Sequence, residues 1–268
     1  MTDRVRALLA KEFADLRRNP GVFIPAVLTS LMSLALPFFV AVVVPAVTGE
    51  RLSSSGDLQL ATEMFRSLPW TRTLDPEAAV QAFIFQQFLV MLVVGPVAAS
   101  MSTAAYSVIG EKQARTLEPL LATPLATAEL LAAKVLGSFL PALVLTLVIF
   151  VLLLAGAAMF AQPGVHLALL TPQSLVVVFV AGPLASLAAL QMAVCVSSRA
   201  NDARGAQQIG VIIILPIAGL LVAQVIGNVI LTVWVTMAIS AGLVVLNAGL
   251  LWLAVVLFDR ESVLTRWR

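Results

Sequence analysis

The sequence predicts an all-α integral membrane protein with six transmembrane helices. Three observations lead there. Hydrophobic residues make up 60% of the 268-residue chain and charged residues only 11%, whereas a soluble domain is about 45–50% apolar and about 25% charged. Four stretches contain no Asp, Glu, Lys or Arg: Gly21–Gly49, Ala78–Gly110, Val135–Ser198 and Gly205–Phe258, with 29, 33, 64 and 54 residues. A helix crosses the hydrocarbon core with roughly 20 apolar residues, so the two shorter stretches each hold one span and the two longer ones two each. Thirdly, the basic residues segregate. With six spans, the termini and the loops on their side hold 13 of the 16 Lys and Arg, and the opposite side holds only Arg51, Arg66 and Arg72. The positive-inside rule then places both termini in the cytoplasm. A miscount by one span would break this partition.

The chain opens on a charged segment, residues 1–20. From about Asp3 to Arg18, Val5, Leu8, Leu9 and Leu16 recur at helical spacing, with Phe13 among them. Arg4, Lys11, Asp15 and Arg18 recur on the other side. Such a helix is expected to lie on the inner leaflet, its Lys and Arg meeting lipid phosphates. Asn19-Pro20-Gly21 ends it and turns the chain into the membrane.

The membrane domain, residues 21–258, is expected to hold spans near Val22–Val44, Gln81–Val108, Ala132–Phe160, Leu175–Val196, Gln207–Ile226 and Leu231–Phe258. The outer loop 48–79 carries five acidic residues against three Arg, and Leu58–Leu68 has helical apolar spacing. Gly95-Pro96 and Gly182-Pro183 fit kinks within spans. The turn at Gly227-Asn228 is very tight. Residues 259–268 form a short cytoplasmic tail.

The span interiors offer amides and hydroxyls in place of charges. Ser100, Thr103 and Ser107, at spacings of three and four, share one face of the second span, and Gln87 and Gln191 add to the set. They are candidates for a weakly polar pathway wall or dimer seam. The favoured reading of the two is ordinary packing and hydrogen bonding between helices.

Several functions find no residues to support them. The phosphate-cradling G-x-x-x-x-G-K-[ST] is absent, as are H-E-x-x-H, G-x-S-x-G and paired cysteines. No catalytic site and no metal site is expected. The lone His166 and lone Cys195 fit a loop residue and a buried small hydrophobe. The basic residues sit at membrane borders and do not indicate nucleic-acid binding.

The inner loop 110–130 is the most informative segment. It reads Gly110-Glu111-Lys112-Gln113-Ala114-Arg115-Thr116-Leu117-Glu118-Pro119-Leu120-Leu121-Ala122-Thr123-Pro124-Leu125, and Glu129-Leu130-Leu131-Ala132-Ala133-Lys134 follows. Thr116 can cap a short helix with Pro119 in its first turn, and Thr123-Pro124 stops it. Leu117, Leu120 and Leu121 on so short a helix need a surface to pack on.

This string closely resembles the signature of ABC-2 type transporter permeases. Arg6 to Pro20, with Lys11, Phe13, Arg17 and Arg18, resembles that family's N-terminal elbow helix, and Leu257-Phe258-Asp259-Arg260-Glu261-Ser262-Val263-Leu264 resembles its tail. A looser resemblance is to NatB-like permeases of the sodium- or multidrug-exporting type. The resemblance implies the membrane subunit of an ATP-driven exporter in a bacterial or archaeal plasma membrane. It implies two copies of an ABC-type ATPase, which bind the ATP and Mg, so that this chain holds no cofactor. It also implies a second permease copy, as a homodimer or a paired homologue, alongside membrane lipids. The inner loop would then be a coupling helix, with Thr116, Leu117, Glu118, Leu120, Leu121 and Thr123 as contacts to the ATPase. Two other functions remain open at this stage. One is a scaffold or sensor that recruits an ATPase without transporting. The other is a secondary transporter, which would favour internal repeats and a buried charge.

Overall fold

The computed structural model describes residues 2–54, 74–113, 127–199, 212, 214–220, 222–223 and 232–257. Among these residues the protein is helical, with no strand. Five helical segments are long and apolar enough to cross a membrane: Pro20–Thr48, Pro76–Glu111, Ala132–Phe160, Pro172–Ser197 and Val233–Val256. They correspond to the expected first, second, third, fourth and sixth spans. Half of the expected fifth span lies outside the described residues, as do the outer-loop helix at 58–68, the turn at Gly227-Asn228 and the tail 259–268.

Helix α1 (Thr2–Arg18) precedes the first span. That span comprises α2 (Pro20–Phe38), a π-helical turn (Phe39–Val43) and α3 (Val44–Thr48). The second is α4 (Pro76–Leu92) and α5 (Val94–Gln113), separated by a turn at Val93. The third lies within α6 (Thr127–Phe160). After a short α7 (Val165–Ala168), the fourth comprises α8 (Pro172–Val176), a second π-helical turn (Val177–Ala181) and α9 (Gly182–Arg199). The last span is α10 (Val233–Leu257).

The interruptions have a common cause. Proline has no N–H, and its ring crowds the carbonyl four residues back. The first π turn ends two residues before Pro45, the second ends two residues before Pro183, and the turn at Val93 lies three before Pro96. Widening the turn moves the carbonyl away from the ring. The helix is therefore interrupted beside both expected Gly-Pro positions, and Pro45 accompanies a third irregularity that the sequence reading passed over.

α5 lies at the centre of the bundle, packed against α2, α6 and α9, while α9 also packs on α10. In their most apolar stretches, 67% of the second span is buried, against 22% of the first and the last. One apolar core gathers around α4 with Phe85, Leu89, Ile149, Leu153 and Leu169. A second lies between α5 and α9 with Val97, Met101, Ala105, Val108, Ala189 and Leu190. α2 and α5 approach closely at Gly95, where an added Cβ would sit 2.8 Å from Ser30 Cα. Only a residue without a side chain permits that approach.

Side-chain amides and carboxylates tie the segments together at the α4 end. Pro45 cannot donate to Ala41 O, and Gln81 Nε2 donates to that carbonyl instead at 3.0 Å. Gln81 Oε1 accepts from Gln162 N at 2.8 Å, so one side chain joins the first span, the second span and the segment after α6. Glu77 accepts from Leu52 N and Ser53 N. Gln86, Thr171 and Ser174 form a buried hydrogen-bonded triangle, in which Thr171 also caps α8.

Candidate functional site

The expected coupling residues Thr116, Leu117, Glu118, Leu120, Leu121 and Thr123 lie outside the described residues. The helices that bracket them do not. α5 enters the 114–126 segment and α6 leaves it, and both are held at that point to α1.

The hold is ionic. Lys134, two residues into the third span, is only 2% exposed. Its Nζ lies 2.7 Å from Glu111 Oε2 on α5 and 3.3 Å from Glu12 Oε1 on α1. It also donates to Ser107 Oγ at 2.9 Å and to Ser107 O at 3.2 Å. The other oxygen of the same carboxylate, Glu111 Oε1, accepts from Lys11 Nζ. Lys11 in turn lies 3.7 Å from Asp15. The Glu111 carboxylate therefore bridges two ammonium groups, one from α1 and one from α6. Each buried charge is paired, with Lys134 hydrogen-bonded to Glu12 and Ser107 and Glu111 to Lys11, which is the condition for placing them there at all.

Burial works against the Lys11 charge. The hydrogen bond and charge of Glu111, backed by Glu12 and Asp15, outweigh it and hold the Lys11 pKa above its ordinary 10.5. Lys11 stays charged throughout the neutral range.

Backbone proximity reinforces the ion pairs. α1 packs on α6 at Gly137, where an added Cβ would lie 2.8 Å from Glu12 Cβ. Beside this contact a cleft of about 330 Å³ opens between α1, the start of α2, α5 and α6. Lys11, Asp15, Asn19, Tyr106, Ser107 and Glu111 line it, with Leu16 and Val22 as apolar wall.

This geometry corrects the expected orientation of the first helix. Lys11 and Asp15 were expected on the lipid-phosphate side. They are instead half-buried, on the bundle-facing side with Leu8, Glu12 and Leu16. The reason is electrostatic: Glu111 and Lys134 offer partners to charges on that face. Arg6, Arg17 and Arg18 remain exposed, and Phe13 is 37% exposed.

The polar residues expected along a pathway or seam are distributed over several contacts. Ser100 is buried and donates to Ser186 O at 2.9 Å, joining α5 to α9. Thr103 is buried and donates back to Ala99 O on its own helix. Ser107 serves Lys134, as described above. Gln191 is buried on α9, and its Oε1 has no hydrogen-bond partner among the described residues. Gln87 is half-buried on α4. Sequence reasoning missed Glu12, Glu111 and Lys134 as a unit. A signal was available: Lys134 is the single charged residue of the Ala132–Phe160 span. A lone charge inside a span is expected to face a partner.

The apolar spans, the helical bundle and the charged junction at one end define a multi-pass membrane protein. The family model described as "ABC-2 family transporter protein" matches residues 6–255. The chain belongs to that family, whose members are membrane components of ABC transporters. Members normally work with an ABC ATPase and are generally non-catalytic themselves. No curated protein and no solved structure matches the chain.

Proposed function

We propose that this chain is the permease subunit of an ATP-driven exporter, and that residues 110–130 dock on a separate ABC-type ATPase. One observation supports this above the others. The segment 114–126 is bracketed by α5, which belongs to the most buried span of the bundle, and by α6, which packs against it. A force applied there reaches the core of the membrane domain without an intervening linker.

In this mechanism Thr116 to Thr123 contact the ATPase, with Glu118 as the charged contact. α1 acts as the elbow helix beside them. ATP and Mg bind on two ATPase copies, and two permease chains, identical or homologous, enclose the path. Ser100, Thr103, Gln87 and Gln191 lie on the helices that would border it. Both termini face the cytoplasm of a bacterial or archaeal cell, as the distribution of Lys and Arg favours. Driving a two-state membrane domain from 1:99 to 99:1 takes about 5.5 kcal/mol of differential binding. ATP-driven closure of the ATPase pair would supply it through the docked loop.

The test is a tagged pull-down from native membranes in mild detergent, comparing wild type with Glu118→Arg. The proposal expects an ABC-type ATPase with the wild type and less of it with the variant, at equal membrane insertion. Equal recovery with both would remove Glu118 from the interface. No ATPase with either, from folded protein in several detergents, would favour a secondary carrier or a scaffold.

A further inference from the structure

We infer that Glu12, Glu111 and Lys134, with Lys11, form a clamp that makes α1 and both ends of the 114–126 segment move as one body. These are positioning residues for coupling. The inference rests on the docking role proposed above for residues 110–130, and it adds how displacement is passed on.

Three helices meet within one ion-paired chain: Lys11 on α1 to Glu111 on α5, Glu111 to Lys134 on α6, and Lys134 back to Glu12 on α1. Each link closes across an element boundary. The chain therefore forms a closed loop of charges, and no helix can leave it without uncovering a buried partner. Lys134 is 2% exposed and the Glu111 and Glu12 side chains are 8% and 10% exposed, so water does not replace a lost partner cheaply. Glu111 lies three residues before the segment and Lys134 eight after it. A push on the segment is thus delivered to a rigid junction. The close approach of Gly137 to Glu12 leaves no room for α1 to slide over α6. Electrostatics and sterics act at the same place and in the same sense.

The close Gly137–Glu12 approach also supplies the test. The two Cβ positions would be 2.8 Å apart, and a disulfide holds its Cβ atoms about 3.5–4.5 Å apart. An outward shift of about 1 Å brings the two Cβ atoms into that range and allows a disulfide between Glu12→Cys and Gly137→Cys. Cys195→Ala removes the native thiol. The complex with the co-purified ATPase is assayed for ATP hydrolysis. Reduced, the double-cysteine chain has lost the Glu12 arm of the clamp and carries an added side chain that crowds α1 at position 137, and hydrolysis is expected to fall severalfold while the ATPase remains bound. Oxidised, the covalent link replaces that arm, and hydrolysis is expected to recover. Lys134→Met, which needs no crosslink, is expected to give the same loss with the ATPase retained.

Two results overturn the inference. One is full hydrolysis in both Lys134→Met and the reduced double-cysteine chain. The other is an oxidised form that is inactive and revived by reductant, which would mean that α1 must part from α6. Failure of the docking role looks different: the wild-type chain then recovers no ATPase at all, and the clamp loses its function along with the docking role.

Discussion

Replacing Lys134 with methionine isolates the ammonium at the junction, because the side chain keeps nearly its length and gains no charge. The structure sets the magnitude. Lys134 is 2% exposed and meets two carboxylates and the Ser107 hydroxyl within 3.3 Å. Removing one partner of a buried pair costs about 3–5 kcal/mol, because the other charge stays buried without compensation. Here Glu111 keeps Lys11, which is 41% exposed, and Glu12 has some access to water. The loss therefore falls at the lower end, about 3 kcal/mol, or roughly a hundredfold in the unfolding equilibrium. Denaturant titration in mixed micelles, followed by helical circular dichroism, measures it. Arg17→Met on the exposed side of α1 is the reference and is expected to stay within about 0.5 kcal/mol of wild type. Equal stability of the two variants would refute the claim that Lys134 holds the junction together.

Further outcomes follow from other contacts. Gln81→Leu deprives Ala41 O of its donor and is expected to cost about 1–2 kcal/mol. In a Pro45→Ala background a backbone N–H returns to that carbonyl, and a double-mutant cycle is expected to show a smaller Gln81→Leu penalty. Gly95→Ala forces α5 away from Ser30 and is expected to lower stability by about 1–3 kcal/mol, read as a thermal shift in detergent. The Lys11 pKa is raised in the folded state, so its stabilising contribution is complete below 10.5 and fades as pH rises through the raised value. Melting curves from pH 7 to 11 are expected to show α1 attachment weakening only at the alkaline end, with Lys11→Met flat over the same window.

Much of the fold was legible because the bilayer imposes a coarse requirement. Uncharged runs long enough to span are visible in composition alone, and the third span was expected and found at Ala132–Phe160. Gly95-Pro96 and Gly182-Pro183 marked interruptions because proline acts locally. The facing of α1 was not legible. Its apolar periodicity was read against a lipid surface, whereas Glu111 and Lys134, about a hundred residues away in sequence, attract its charges inward. Ser107 was picked out by helical spacing, but spacing does not reveal that its partner is Lys134. Pairings between distant helices depend on tertiary geometry, which periodicity within one helix does not contain. Pro45 could have been flagged, since an interior proline leaves a carbonyl in need of a donor and Gln81 is a long amide in the next span.

The central claim is that residues 110–130 contact an ABC-type ATPase. A photoreactive phenylalanine analogue at Leu120, with a second at Trp234 in the last span as control, tests this contact in intact cells. An irradiation-dependent adduct that contains an ABC-type ATPase is expected at position 120, and no such adduct at position 234. An adduct at 120 with proteins of another class only, or an ATPase adduct from 234 alone, would contradict it.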